Sequence, residues 1–401
     1  MFKKLTIQQF GPIKHVEIEL RQVNLFIGEQ SIGKSTLAKL ITIFTDRLSL
    51  CMLCMKDMWN TLLQAHGLDV YSNDQYQITF EMSRNGNNEF HFSINPQGVD
   101  IDMMKDGKRI TDQQVILNEL ISQKHLFHPE AVNDVLEMLP LNQKRGMSTE
   151  TVQLLMDSIY IPAERVMYSV ATKLLPAMML AKSAVSQPLL RFIVNLEAAR
   201  NKYPNYDMPL LGVSYKYENN DDYFVLNENK KQYPLMVASS GIQSAFPLML
   251  VLHYAVHDRE YSSFVVEEPE CNLFPSKQVE LLQFILKTVC DDNRTLTITT
   301  HSPYLLTALN NHLYAGQLKT DFKQQEVQDA INNRSHIFPL DPDDCAVYSL
   351  GKDVNQDGAY CEWIMRHDGL IEYNALDETY ATLGDDFSQL EDIEIKMMKG
   401  D

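Results

Sequence analysis

The chain has 401 residues, 45% of them apolar, six cysteines and a formal net charge of −18. That apolar content sustains a buried core and excludes a disordered chain, while the acidic balance opposes non-specific coating of phosphate backbones. No run approaches the roughly 18 apolar residues of a membrane span, Met1–Gln9 lacks the apolar core of a signal peptide, and cysteines without framework spacing fit a reducing cytoplasm.

Two strands open the chain, Lys4–Phe10 and His15–Leu20, around Gly11-Pro12. In the second, Val16, Ile18 and Leu20 alternate with Glu17 and Glu19, the period-two pattern of a half-buried strand. Val23–Ile27 is a short apolar run that reads as a buried strand, and a helix starts at Thr36. Cys51 and Cys54 form a CxxC pair in a Met- and Leu-rich continuation of that helix. With no second pair or nearby histidines, they read as small core residues. Gln75–Met82 and Glu89–Ile94 flank Arg84-Asn-Gly-Asn-Asn as a hairpin. Helical patterns run from about residue 112 to 155 and from about 170 to 200, separated by a strand at 157–161 and the turn Pro162-Ala-Glu164-Arg165. Strands follow near Val213–Tyr217 and Tyr223–Leu226. The expected division is an N-terminal lobe over 1–105, a helical arm with a returning core strand over 106–235, a second lobe over 236–340 and an acidic extension over 341–401.

Between the strand at 23–27 and its helix lies Gly28-Glu-Gln-Ser31-Ile-Gly33-Lys34-Ser35-Thr36, a GxxxxGK(S/T) loop in the strand–loop–helix context that the motif requires. Gly28 and Gly33 allow backbone torsions that side chains resist, and the freed N–H groups with the positive helix end then face phosphate oxygens. Lys34 is placed to reach the β- and γ-phosphates and Ser35 to ligate Mg²⁺. Phe264-Val-Val-Glu267-Glu268 is an apolar strand ending in two carboxylates. Phosphoryl transfer needs one carboxylate near the metal and another near the attacking water, so Glu267 is assigned to Mg²⁺ and Glu268 to the water as general base. Ser239, Ser240, Gly241 and Gln243 sit at the start of an apolar helix, which taken alone reads as an ordinary N-cap and beside the phosphate loop as a second anion-binding surface. His301 ends the strand Thr297–Thr300, where an imidazole can hydrogen-bond a γ-phosphate.

The order of these four motifs resembles the ATP-binding-cassette ATPases, in particular the RecF, SMC and OLD-like branch. Ser239-Ser-Gly-Ile-Gln243 stands at that family's signature, Glu267-Glu-Pro-Glu270 with Asn272-Leu-Phe-Pro275 at its Walker B and D-loop, and Thr300-His301-Ser302-Pro303 at its H-loop. The opening Leu5–Ile13 is also typical, and the likeness covers roughly residues 1–50 and 155–310. The chain departs from the pattern at Glu267, where aspartate is commoner, and at Ile242, which replaces a glycine. Pro162–Arg165 takes the place of the Q-loop glutamine. Arg165 there has two readings, a nucleotide contact or a surface ion pair.

The resemblance implies an α/β phosphate-loop NTPase of the ABC-ATPase head type, with a mixed sheet, an N-terminal antiparallel β-subdomain and helical arm insertions. It implies ATP and Mg²⁺ as cofactors and a homodimer, or a higher oligomer, through composite ATP sites. OLD-like nucleases add a further catalytic domain. Here Asp341-Pro-Asp343 lacks the accompanying glutamate strand, and Asp353–Gly358 opens like a calcium loop but has Ile364 at its twelfth position, so it reads as a turn. The expected role is a nucleotide-driven switch controlling a separate protein effector, a nuclease or toxin, as in Septu- or PARIS-type anti-phage modules. The alternative is a RecF-like clamp on DNA, with Lys173, Lys182, Arg191, Arg200 and Lys202 as its basic surface. A third reading is a nucleotide-gated scaffold with negligible turnover, which the presence of Glu268 and His301 opposes.

Overall fold

The computed structural model describes residues 3–122 except 56 and 85–87, 158–167, 186–372 except 260, 291–293, 335 and 352–360, and residues 382, 384, 385 and 387–391. Strands β1 (Lys3–Phe10) and β2 (Ile13–Glu19) pair antiparallel with Leu5 opposite Ile18 and Ile7 opposite Val16, so the alternating apolar residues of both share one buried face. Strand β3 (Val23–Gly28) has no such alternation. Val23 to Ile27 are all buried, as expected of a strand covered on both sides. After the loop come helices α1 (Lys34–Thr45), α2 (Arg47–Leu53) and α3 (Met58–His66). The expected continuation of the first helix is broken at Asp46, whose extended backbone ends α1 and whose side chain caps α2 at Ser49. Cys51 and Cys54 are buried in the core.

The expected hairpin is β4 (Gln77–Arg84) and β5 (Asn88–Asn95), with Phe80 opposite Phe92. Two further strands, β6 (Gly98–Lys105) and β7 (Lys108–Ile110), extend it into the sheet β2-β1-β4-β5-β6-β7. Helix α4 (Gln113–Ser122) opens the first expected helical stretch, whose remainder lies outside the described residues. Strand β8 (Ser158–Ile161) returns to the core, and α5 (Gln187–Lys202) is the described part of the second stretch. Between α5 and the signature segment the chain forms a four-stranded antiparallel sheet, β9 (Asn205–Met208), β10 (Val213–Glu218), β11 (Asp221–Leu226) and β12 (Gln232–Pro234), of which β9 and β12 were not expected.

The remaining elements are α6 (Ser240–His257), β13 (Ser263–Glu267), α7 (Pro275–Val289), β14 (Thr295–Thr300), α8 (Pro303–Asp321), α9 (Gln325–Asn332), β15 (Cys345–Leu350) and β16 (Cys361–Trp363). The central sheet runs β16-β15-β3-β14-β13-β8, parallel except at its β16 edge. Its alternating side chains feed two cores. Leu25, Ile27, Val266, Ile298 and Val347 join one cluster with apolar residues of α5 to α8. Phe26, Val265, Ala346 and Tyr348 join the other with α1 and the inner face of the N-terminal sheet. One expectation is corrected here. The segment 341–401 is no mere extension, because β15 hydrogen-bonds directly to β3 along its whole length. Acidic residues at its flanks hid an apolar run, Cys345–Tyr348, that is fully buried.

Candidate functional site

Parallel order brings the C-terminal ends of β3, β13 and β14 to one edge of the central sheet, where loops gather side chains from distant parts of the chain. The loop after β3 places Ser31 at a left-handed φ of 63° and Gly33 at 104°, directly before α1. Gly28 has no room for a side chain, since a Cβ would lie 2.3 Å from the Leu350 carbonyl oxygen of β15. Lys34 is buried, and its Nζ donates to the Gly28 and Glu29 carbonyls at 2.9 and 2.5 Å. Burial lowers its pKa to about 8 against the opposing pull of Glu268, Glu270, Glu267 and Glu29. Thr36 is buried and Ser35 is exposed on the first turn of α1.

Strand β13 ends with Glu267 turned inward and Glu268 turned toward the loop. Glu267 is 3% exposed, and its Oε1 and the neighbouring Tyr160 hydroxyl are both buried without a hydrogen-bond partner among the described residues. Desolvation raises the Glu267 pKa, while the Tyr160 and Ser35 hydroxyls favour its ionised form. A buried carboxylate oxygen left unpaired beside a serine hydroxyl is a costly arrangement unless something positive meets it. Ser35 and Glu267 therefore fit a hard divalent cation, whose preferred ligands are such oxygens.

Glu268 has a left-handed backbone, φ 41°, where side-chain-bearing residues are uncommon. Its Oε1 lies 3.1 Å from His301 Nε2, and its Oε2 accepts from the Cys271 thiol at 3.3 Å. The His301 hydrogen bond dominates in lowering the Glu268 pKa, so the carboxylate stays ionised at neutral pH. On the other side of the imidazole, Nδ1 is 3.4 Å from Lys34 Nζ. One tautomer satisfies both contacts, with Nε2–H donating to Glu268 and Nδ1 accepting from the lysine. His301 is itself held by Glu270, whose Oε1 accepts from the His301 N–H at 2.7 Å and the Thr300 hydroxyl at 2.6 Å. Lys34, His301 and Glu268, nominated from three motifs, thus form one continuous chain.

The signature segment is arranged differently. Ser239 is the N-cap of α6 and accepts from the Ile242 N–H at 3.4 Å, while Gln243 folds back onto the Met236 and Ala238 carbonyls. Ser239 and Ser240 are exposed at this helix end. Gly241 abuts the D-loop, where a Cβ would sit 2.9 Å from the Asn272 carbonyl oxygen.

Arg165 fulfils neither expected reading. It is fully buried, and its guanidinium donates to the Pro162, Ser244, Glu267 and Glu268 carbonyls at 2.7 to 3.2 Å. Three of the five basic residues expected to form a DNA surface are also engaged. Arg191 faces Asp46 at 4.0 Å, Arg200 pairs with Glu197 and Asp222 beneath the Tyr217 ring, and Lys202 meets Asp258 at 3.5 Å. Lys173 and Lys182, like residues 353–360 of the calcium-loop-like turn, lie outside the described residues. Sequence reasoning did not find Tyr160, Cys271 or the bridging role of Glu270. Only Glu270 had a signal, as part of the acidic strand end.

A sheet of this order with a phosphate loop at the end of β3 defines a phosphate-loop NTPase of the ABC-ATPase head type. The chain belongs to the AAA ATPase domain family, which matches residues 1–135 and 190–306, more than half of its length. No curated protein matches it. Among solved structures it is similar to the SMC head domain from Thermotoga maritima, at 13% identity over 77% of this chain and 91% of that one, with a TM-score of 0.37. It is also similar to an Smc head bound to the C-terminal winged-helix domain of ScpA, at 11% identity, 90% and 96% coverage and a TM-score of 0.42. A third is the Smc head with an extended coiled coil bound to the C-terminal domain of ScpA from Pyrococcus furiosus, at 11% identity, 96% and 98% coverage and a TM-score of 0.41. Likeness at this level bears on neither mechanism nor partners. Among the described residues no helix is long and apolar enough to cross a membrane.

Proposed function

We propose that this chain binds and hydrolyses Mg-ATP at a site completed by a second copy of itself, and that the closed pair acts as a switch read by a separate protein effector. The Lys34–His301–Glu268 chain carries this reading, because it joins a phosphate-binding cation to an ionised carboxylate through one imidazole. Lys34 releases the Gly28 and Glu29 carbonyls for phosphate oxygens when nucleotide enters. Glu268 accepts a proton from the attacking water, and His301 orients that carboxylate while facing the γ-phosphate. Ser35 and Glu267 hold Mg²⁺, which supplies positive charge at the phosphate oxygens.

The second copy is supported by what surrounds the site. Met236 and Val237 before the signature loop, Phe274 in the D-loop and Tyr304 after His301 are large apolar side chains left exposed. Ser240 and Gly241 lie at an exposed helix start, where first-turn N–H groups favour an anion. A net charge of −18 suits docking to a protein better than to nucleic acid. The setting we propose, resting on the resemblance alone, is anti-phage defence.

The test is the solution mass of Glu268→Gln with and without Mg-ATP, with Lys34→Ala as the non-binding control. A doubling that needs ATP and is lost in Lys34→Ala is the expected result. An unchanged monomer with ATP demonstrably bound would overturn the composite site.

A further inference from the structure

Arg165 is fully buried, and among the described residues its guanidinium hydrogen-bonds to carbonyls and one hydroxyl and to no carboxylate. Its Nη1 donates to the Pro162 carbonyl at 3.0 Å and the Glu267 carbonyl at 2.7 Å, and its Nη2 donates to the Glu268 carbonyl at 2.7 Å. From the same fork, Nε reaches the Ser244 carbonyl at 3.2 Å and Nη2 the Ser244 hydroxyl at 3.4 Å. Three segments therefore meet on one guanidinium: the turn after β8, the end of β13 and the second turn of α6. Lysine cannot reproduce this, because a single ammonium lacks the rigid, planar fork.

What the fork grips is a site residue in an uncommon backbone conformation. Glu268 occupies a left-handed φ of 41°, and both of its backbone polar groups are tied down, the N–H by the Thr299 carbonyl at 2.9 Å and the carbonyl by Arg165. Such a conformation persists only where its surroundings over-determine it. In it, the carboxylate Oε1 lies 3.1 Å from His301 Nε2. We propose that Arg165 is the positioning residue for Glu268, anchoring the water-activating carboxylate to the helix that carries the signature loop. The inference rests on the assignment of Glu268 as general base.

The test is a double-mutant cycle. Arg165→Lys and Ser244→Ala are each made in the wild-type chain and in Glu268→Gln, and single-turnover hydrolysis, affinity for a fluorescent ATP analogue and melting temperature are measured. Arg165→Lys is expected to lower the hydrolysis rate by about 100-fold, the scale of a 1 Å misplacement, with nucleotide affinity within about threefold of wild type. In Glu268→Gln the same substitution should cost nothing further, since a group that acts through Glu268 has nothing left to position. Should Arg165→Lys not fold, Ser244→Ala carries the cycle. It keeps the arginine and loses one 3.4 Å contact, so a loss of roughly twofold to fivefold, again absent in Glu268→Gln, is expected. Equal losses in both backgrounds, parallel loss of affinity and rate, or wild-type rates from the folded variants would overturn the proposal alone. Wild-type hydrolysis by Glu268→Gln itself would overturn the base assignment and the proposal with it.

Discussion

Lys34 carries a pH signature that no exposed lysine would have. Burial holds its pKa at about 8, below the ordinary 10.5, so between these values the unfolded chain keeps a proton that the folded chain has released. This group's contribution to the stability of the nucleotide-free protein therefore rises with pH from about 8 to 10.5 and is lost as pH falls back through 8. Nucleotide affinity runs the other way, because phosphate oxygens require the ammonium. Calorimetric titration should show ATP binding weakening by up to about tenfold per pH unit above pH 8, and Lys34→Arg should flatten that slope. A wild-type affinity constant to pH 9.5 would show that the ammonium does not grip the phosphates. Among single residues, those with a characteristic partner were readable from sequence. Lys34, Glu268 and His301 each sit in a motif whose chemistry names its neighbour. Arg165 does not, because its partners are carbonyls of residues about 80 and 100 positions away, and a carbonyl leaves no mark on residue type.

At the scale of elements, the contact between α6 and the D-loop sets two familiar effects against each other. Alanine in place of a helical glycine ordinarily gains about 1 kcal/mol. At Gly241, however, the added Cβ would meet the Asn272 carbonyl at 2.9 Å, and a backbone group there cannot step aside cheaply. Overpacking of this kind costs about 1 to 3 kcal/mol, so Gly241→Ala is expected to destabilise on balance and to slow hydrolysis by shifting the D-loop. Denaturant titration decides the sign, and a variant more stable than wild type would mean that the helix start yields freely. Elements with a clean period were legible in sequence, β2 by its alternation and β3 by its unbroken apolar run. Strands β7, β9 and β12 were not, because three or four largely exposed residues give no period to read. The break between α1 and α2 was hidden because apolar residues continue across Asp46 and only its cap on Ser49 marks the turn.

For the molecule as a whole, the central sheet depends on strands far apart in the chain. β3 lies between β14 and β15, and Gly28 packs against the last carbonyl of β15. Ending the chain at Leu340 would expose one side of β3 and remove Val347 and Cys345, both fully buried, from the core. Such a chain is expected to aggregate or to melt far below the full chain, and to lose ATP binding. A soluble truncation with unchanged affinity would show that β15 is dispensable. The fold class was legible because the motif order fixes the middle of the sheet, whereas β15 contains no motif and is recognised only by its neighbours.

That arrangement also sets a timetable for synthesis. The phosphate loop leaves the ribosome roughly 300 residues ahead of β15, which closes its flank, an interval of about 15 to 60 s at ordinary elongation rates. The N-terminal antiparallel strands pair with close neighbours and can form early, but β3 must wait with both edges bare. A nascent chain therefore passes through a long interval in which this apolar strand is unprotected and its nucleotide loop unfinished. During that interval both edges of β3 are open to pairing with other chains, and ATP binding is among the last properties the chain is expected to acquire.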